Sequence, residues 1–552
     1  MKRLKITKVR LKFLLLGGNA MRKVIIFLAV PLLALAGIAQ ASVCPTSNVI
    51  QDPAEFLWTQ QNGYLSGTLE IGKATLDIGA DTLTTRAYRQ AGGSYGVPGP
   101  TIRMTPGNTY VLTLKNLLPY AAPSTTENNY KDPDITNLHT HGLHVSPMSP
   151  SDDVMRVING GYCGDYVYQV PDDHMGGTLW YHPHHHGSTF LQVSGGAFGL
   201  LLVDDSYDGI PPGVADMTER QLVVGYLDPS VAGTGGDTLI SGTLSSTWTV
   251  NGKVRGNLCT PVNEWQHWRV LLADSDAMPR TLSVGAGCEV ALLARDGVWR
   301  TLAPKLLPTN SLELTGASRA DLAIRCNTDS NISVNGTIVA NVFADATLPY
   351  NTAVGPYSNG STGAAWSAQR PDYLRDLRSV TSYEQRTVSM GARTINGSKF
   401  NMDVPTFTIP TGHVQQWNIK AGAHPFHLHV YHFQMNGACG AFEDGEYYDT
   451  LGGGPCNARF DLDPATSNVY DGTTVMHCHI LDHEDQGAMG WSDIIGGFGP
   501  PSFPDPAFQE LYQCAGTPPP PPTDCSIYID RKSCNSNATC TWKGKTGTCV
   551  NR

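Results

Sequence analysis

An all-β fold is predicted for this chain, on three observations. Glycine and proline are abundant, at 58 and 37 of 552 residues, while only 16% of residues are charged. Short Val, Thr, Leu and Ile runs alternate with turn residues along the whole chain, as strands joined by tight connections require. Long amphipathic helical repeats are scarce, so helices are not expected to carry the core. The length suffices for three domains of ordinary size, each with its own apolar centre.

In chain order, residues 1–41 read as a secretory signal peptide. Eight basic residues (Lys2, Arg3, Lys5, Lys8, Arg10, Lys12, Arg22, Lys23) precede the apolar VIIFLAVPLLALAG, which is short for a membrane span, and Ala39-Gln40-Ala41 is a small-residue cleavage site. The product is expected to be exported, periplasmic or extracellular, with no integral membrane span left. Cleavage removes those eight basic residues and no acidic one, which takes the formal charge from −10 to −18. An acidic surface argues against nucleic acid or anionic membrane as partners and is compatible with cationic substrates.

Residues 50–205 form the expected first domain, ending on the strand-like FGLLLVDD, and 216–346 the second, which has no histidine cluster. Residues 375–500 form the third. A stiff proline spacer at 517–523, containing Pro518 to Pro522, leads to a tail at 524–552 whose Cys525, Cys534, Cys540 and Cys549 must supply the disulfides that so small a segment needs. The chain has thirteen cysteines, an odd count that leaves one thiol over in an exported protein. If Cys478 is a metal ligand, the other twelve can form six disulfides.

The histidines are not scattered. Of 17, all but His174, His267 and His413 fall in NLHTHGLH (His139, His141, His144), WYHPHHHGS (His182, His184, His185, His186), HPFHLHVYH (His424, His427, His429, His432) and HCHILDH (His477, His479, His483). Each cluster contains His-x-His, which puts two imidazoles on one face of a strand. In TTVMHCHILDH the β-favouring Thr473 to Met476 run predicts that the strand continues through His477-Cys478-His479, with the histidines on one face and the cysteine on the other. One strand could then serve two metal centres. A half-buried strand with an incidental thiol would explain one such tripeptide; it does not explain four clusters.

The motifs HxHG, WYHxH, HPxHxH and HCHxxxH, in this order, resemble those of the three-domain multicopper oxidases, which include laccases, bilirubin oxidases, ascorbate oxidases and cuprous or ferrous oxidases. The resemblance covers residues 50–500, and Val250 to Lys253, Ala294 to Gly297 and Ser318 to Arg325 are similar to the family's middle domain. It implies three cupredoxin-like Greek-key domains and four copper ions. His424, Cys478 and His483 would hold a type 1 copper, and His139 and His427 a type 2 copper. His141, His182 and His479 would hold one ion of a type 3 pair and His184, His429 and His477 the other. His144, His185, His186 and His432 are left as hydrogen-bond partners or solvated side chains. Asp152, or its neighbour Asp153, and Glu484 resemble the family's proton-carrying acids. The resemblance also implies a Cys163–Cys514 bridge, and Cys439 and Cys456 should close a local loop.

What it implies about activity is transfer of single electrons from a small reducing substrate to O2, in a chain expected to act as a monomer. Thirteen methionines without a dense run do not resemble the cuprous oxidases, so phenols or similar aromatics are the first expectation and Fe(II), Mn(II) or Cu(I) the second. Carboxylates of EDGEYYD (Glu443 to Asp449) could serve a metal-ion oxidase. A copper-binding scaffold that has lost catalysis would not need all eleven ligands. In relatives, the residue ten after the ligand cysteine lies on the type 1 axis; here it is Ala488, and Met489 should point to the opposite face.

Overall fold

The computed structural model describes residues 43–514, apart from 205–212, 235–236, 238, 305, 352–354 and 356–369, together with the backbone of 540–543 and 548–551. The expected signal peptide and proline spacer lie outside the described residues, as does the pairing of the tail cysteines. Of the tail, an antiparallel pair, Cys540–Lys543 with Thr548–Asn551, is described.

The chain is all-β. Among the described residues, helix is confined to Thr189–Ser194, Pro229–Ala232, Leu481–Asp485 and the single turn Asp372–Leu374. None of these is long and apolar enough to cross a membrane. Three pairs of sheets follow one another: seven and four strands, then six and five, then six and five. Each pair has its own apolar centre, around Leu112 and Leu138 in the first, Trp268 and Leu272 in the second, Trp417 and Phe433 in the third.

One pattern recurs in all three. Leu65–Ile71 lies parallel to Tyr110–Asn116, which is antiparallel to Cys163–Gln169. Thr218–Gly225 and Gln266–Ala273 repeat the parallel pair, as do Tyr383–Ser389 and Val414–Lys420. A parallel pair needs a crossover connection rather than a hairpin, and here the crossover passes through the second sheet, the signature of the cupredoxin-like Greek key. Alternation fixes the register: in Thr109–Asn116, Leu112 and Leu114 are buried while Thr113 and Lys115 are partly exposed.

The carboxyl-terminal end of the described chain returns to the first domain. Tyr512–Gln513 adds an edge strand beside Tyr162–Cys163, and the Cys163–Cys514 bridge fastens it. Cys439–Cys456 closes a local loop, and Cys44–Cys259 and Cys288–Cys326 are the other disulfides among the described residues. Cys478 is the free thiol among the described residues, and it is buried.

Glu219 joins the first two sheet pairs, 2.7 Å from Arg103 and 2.6 Å from Arg269. Burial would raise its pKa, but the two guanidiniums outweigh it and hold the carboxyl at about 2, below its ordinary 4.5. A depressed carboxylate stabilises the fold above its unfolded pKa, and that stability is lost as pH falls through the interval down to the folded value. Glu219→Gln should cost up to about 3 kcal/mol at neutral pH and almost nothing at pH near 2; urea unfolding of both proteins across this range measures the difference.

Candidate metal centre

Motif pairs with motif across neighbouring strands. His139–His141 runs antiparallel to Gly177–His182, with His139 opposite His182 and His141 opposite Trp180. In the third sheet pair, His427 lies opposite His477 and Phe426 opposite Cys478. Gly142 ends the first motif at φ 90°, where a Cβ would fall 2.6 Å from Arg319 and 3.2 Å from Asp449, so this glycine is required by both backbone and space. Val430 follows the third motif at φ 66°, a strained conformation for a β-branched residue. It aims its carbonyl at His144 Nδ1, 3.0 Å away.

The first and third sheet pairs bring eight histidines together: His139, His141, His182, His184, His427, His429, His477 and His479, none more than 2% exposed. His139 stacks on His429 with ring centres 3.8 Å apart, and His141 on His427 at 3.7 Å. His184 Nε2 and His477 Nε2 are 3.2 Å apart. His184, His429 and His477 offer donor atoms within 4.8 Å of one another. The rings of His141, His182 and His479 lie 5.3 to 5.9 Å apart, and those of His139 and His427 6.0 Å. His139 also groups with His141 and His182, and with His427 and His429, so the cluster is continuous rather than three separate nests.

Several rings are anchored by one nitrogen. His139 Nδ1 is 2.8 Å from Asp152 Oδ2, His182 Nδ1 2.8 Å from the Pro183 carbonyl, His427 Nδ1 2.8 Å from the Asp449 carbonyl and His477 Nδ1 3.1 Å from the Cys478 carbonyl. The opposite nitrogens of His139, His182 and His427 have no hydrogen-bond partner, nor has either nitrogen of His141 or His479, His184 Nδ1 or His429 Nε2. Burial first, and then neighbouring imidazoles, push His141, His182, His184, His427, His429 and His477 well below the ordinary histidine value. Burial likewise takes His479 to about 3. Neutral rings with free lone pairs turned to one another fit transition-metal ions.

The second site lies on the other face of Gly472–Cys478. The expected strand stops at Cys478 rather than passing through His479, because the chain bends there into Leu481–Asp485, and this single helical turn carries His483 back to the thiol. Cys478 Sγ is 3.7 Å from His483 Nδ1, which is 3.1 Å from His424 Nδ1. The two imidazoles are partly exposed and the thiol is fully buried. Burial pushes that thiol up to about 12, a cost that a bound cation reverses. One thiolate with two imidazoles suits copper in both oxidation states.

The acids separate once placed. Asp152 accepts from the Thr140 amide as well as facing His139, whereas Asp153 accepts from the Met155 amide. Glu484 is fully buried, 3.9 Å from His184 Nδ1 and 3.6 Å from His186 Nδ1, and burial raises it to about 8. The surplus histidines stay outside the cluster: His144 lies between the carbonyls of Val430 and Asn468, His432 against that of Asp296, and His185 3.7 Å from Asp132. The carboxylates of EDGEYYD are engaged by arginines, Glu443 by Arg300, Asp444 by Arg378, Glu446 by Arg370 and Asp449 by Arg319. Ala488 shares an apolar cluster with Cys478, while Met489 packs with Val154 and Val475. Sequence reasoning missed Met278 and Met390, which flank the Cys478 cluster, and Arg319. No spacing rule links them to the motifs.

Two family profiles, both described as multicopper oxidase, match residues 85–208 and 369–494. A multicopper oxidase of Staphylococcus haemolyticus is 27% identical over 78% of this chain and 88% of its own length. A laccase of Bacillus subtilis is 26% identical over 79% and 95%. Among solved structures, a laccase from Pediococcus acidilactici superimposes with a TM-score of 0.63 at 19% identity, covering 83% of this chain and 95% of that one.

Because thiol and histidine cluster lie on opposite faces, Cys478→Ser should abolish thiolate-to-metal colour while the cluster still takes up copper. His479→Ala should keep the colour and lose O2 consumption. Absorption spectra and metal analysis of the two proteins check this, and loss of all copper from Cys478→Ser would refute the separation of faces.

Proposed function

The chain belongs to the multicopper oxidases, and on that premise we propose that it oxidises phenols or similar aromatics one electron at a time and reduces O2 to water, as a laccase does. The observation that carries the reading is the buried cluster of eight histidines with ring nitrogens left free, joined through Cys478 to a partly exposed site. Four coppers are the proposed complement. His424, Cys478 and His483 would hold type 1; His139 and His427 type 2; His141, His182 and His479, with His184, His429 and His477, the type 3 pair. When bound, copper would supply reversible one-electron chemistry, so that four electrons from the substrate and four protons would convert O2 to two waters.

The chain's own residues set the conditions. His424 and His483 offer ring edges to a substrate outside, and Cys478 is bonded directly to His477 and His479, so both sites share one short covalent segment. Burial of the cluster excludes bulk water. Asp152 fixes the His139 ring through Nδ1 and leaves Nε2 for metal. Glu484 is the proposed proton donor, held within 4 Å of His184 and His186. Export is part of the reading, supported by four disulfides among the described residues and by the leader-like amino terminus.

Metal-ion oxidation is the second reading. Asp276 and Asp482 both act electrostatically on His483, which would favour a cationic substrate. Each is already engaged, Asp276 with Arg280 at 3.1 Å and Asp482 with Tyr130 and Gln486. A non-catalytic scaffold is disfavoured by the complete donor set. Steady-state rates on a phenol, Fe(II), Mn(II) and Cu(I) under one set of conditions should be highest for the phenol; a metal ion outpacing it reverses the order of the two readings.

With Ala488 beside Cys478, a copper there would be held by His424, Cys478 and His483 without a thioether, which would favour Cu(I) and raise the potential. Ala488→Met should lower that potential and Met489→Leu leave it unchanged in redox titration. An upward shift in Met489→Leu, Met278→Leu or Met390→Leu would instead identify that thioether as a further residue holding the copper.

A further inference from the structure

The middle sheet pair contributes no histidine to the cluster, yet it sends one side chain against it. Arg319, on the strand Arg319–Cys326, is fully buried. Its five N–H groups are all used. Nε donates to the Thr178 carbonyl at 3.1 Å. One terminal nitrogen donates to the Ala317 carbonyl at 3.1 Å and to Asp449 Oδ1 at 3.0 Å, the other to the Asp296 carbonyl at 3.0 Å and to Asp449 Oδ2 at 2.6 Å. The fork therefore spans all three sheet pairs: Thr178 in the first, Ala317 and Asp296 in the second, Asp449 in the third.

Asp449 faces the histidines. Its Oδ1 lies 3.3 Å from His141 Nε2, without the alignment of a hydrogen bond, and its main-chain carbonyl accepts from His427 Nδ1 at 2.8 Å. Those two rings stack on each other. Gly142, next to His141, leaves the space the Arg319–Asp449 pair occupies.

We propose that Arg319 is a positioning residue for the histidine cluster: by clamping Asp449 it sets the His141 ring and the peptide that orients His427, and so makes the middle domain a structural part of the copper site. This rests on the assignment of the cluster as copper-binding. A planar guanidinium is suited to the task because its two parallel bonds fix the carboxylate in angle as well as distance. Lysine keeps the charge and loses the fork. The pair is uncompensated if either partner is removed, so the conservative changes Arg319→Lys and Asp449→Asn are the informative ones.

The test uses the full chain. Copper retained per chain is measured after dialysis against graded chelator, type 2 copper is followed by electron paramagnetic resonance, and histidine ring resonances are recorded in copper-free, histidine-labelled protein. Arg319→Lys should weaken copper retention in the cluster by about 10- to 100-fold, the range for lost partners of metal ligands, while the Cys478 colour persists. In copper-free protein, His141 and His427 resonances should shift and those of His424 and His483 should not. Arg269→Lys, an equally buried arginine that donates to Asp321 and Glu219 rather than to Asp449, is the control for general loosening. If Arg319→Lys does not fold, Asp449→Asn decides: it loses the same two-bond fork, so the His141 and His427 resonances should both shift. Unchanged ring resonances and copper retention in a folded variant, or an equal loss in Arg269→Lys, would overturn the clamp. A wild-type cluster that takes up no copper would refute the proposed function, and the copper-free resonances would still judge the clamp.

Discussion

A buried polar atom left without a partner costs about 1 to 3 kcal/mol, and this chain gathers nine such imidazole nitrogens in one place. Such a cluster survives without metal only if the surrounding structure over-determines it. Much of what is distinctive in the fold follows from that need, beginning with the pairing of motif to motif across single strand contacts.

Rigidity is supplied from outside each ring. A histidine anchored at one nitrogen by a carbonyl or carboxylate has its other nitrogen aimed without further effort, and Asp152, Pro183, Asp449 and Cys478 supply those anchors to four of the eight rings. Three of the four use main-chain carbonyls, which cannot be lost by substituting the side chain. The Cys163–Cys514 bridge and the edge strand Tyr512–Gln513 hold the chain that follows the third domain against the first. The two halves of the cluster are thereby kept from drifting apart, as they would if joined through the middle domain alone.

The histidine spacing made much of this legible. Alternation on a strand is a local property, so His-x-His announced shared faces and Cys478 between two histidines announced opposite ones. Turn geometry was less legible: the bend after Cys478 follows from the need to return His483 to the thiol, which no propensity in ILDH expresses. Asp152 and Asp153 are the same residue type at adjacent positions, and a backbone contact at Thr140 separates them. Arg319 and Asp449 are 130 residues apart, with no period or motif to join them. The acidic EDGEYYD looked available for cations because sequence shows charge and hides partners; its arginines come from Arg300, Arg319, Arg370 and Arg378.

The two sites differ most in exposure, and that difference explains why substrate choice is written faintly in the chain. The cluster must be dry and fixed, so every residue around it is constrained. His424 and His483 are partly exposed, and an electron can leave a substrate that merely touches such an edge, without a fitted pocket. Selection then falls on the few groups that border that edge: Asp276, Asp482 and Arg393 act on His483 through charge, and Met278 and Met390 offer apolar, polarisable surface beside Cys478. Asp276 is paired with Arg280, and Asp482 is held by Tyr130 and Gln486, so with Arg393 two carboxylates stand beside two guanidiniums, and Met278 and Met390 add apolar contact to the rim. A neutral aromatic ring meets such a rim at little desolvation cost, whereas a hydrated metal ion would need carboxylates free to replace its water.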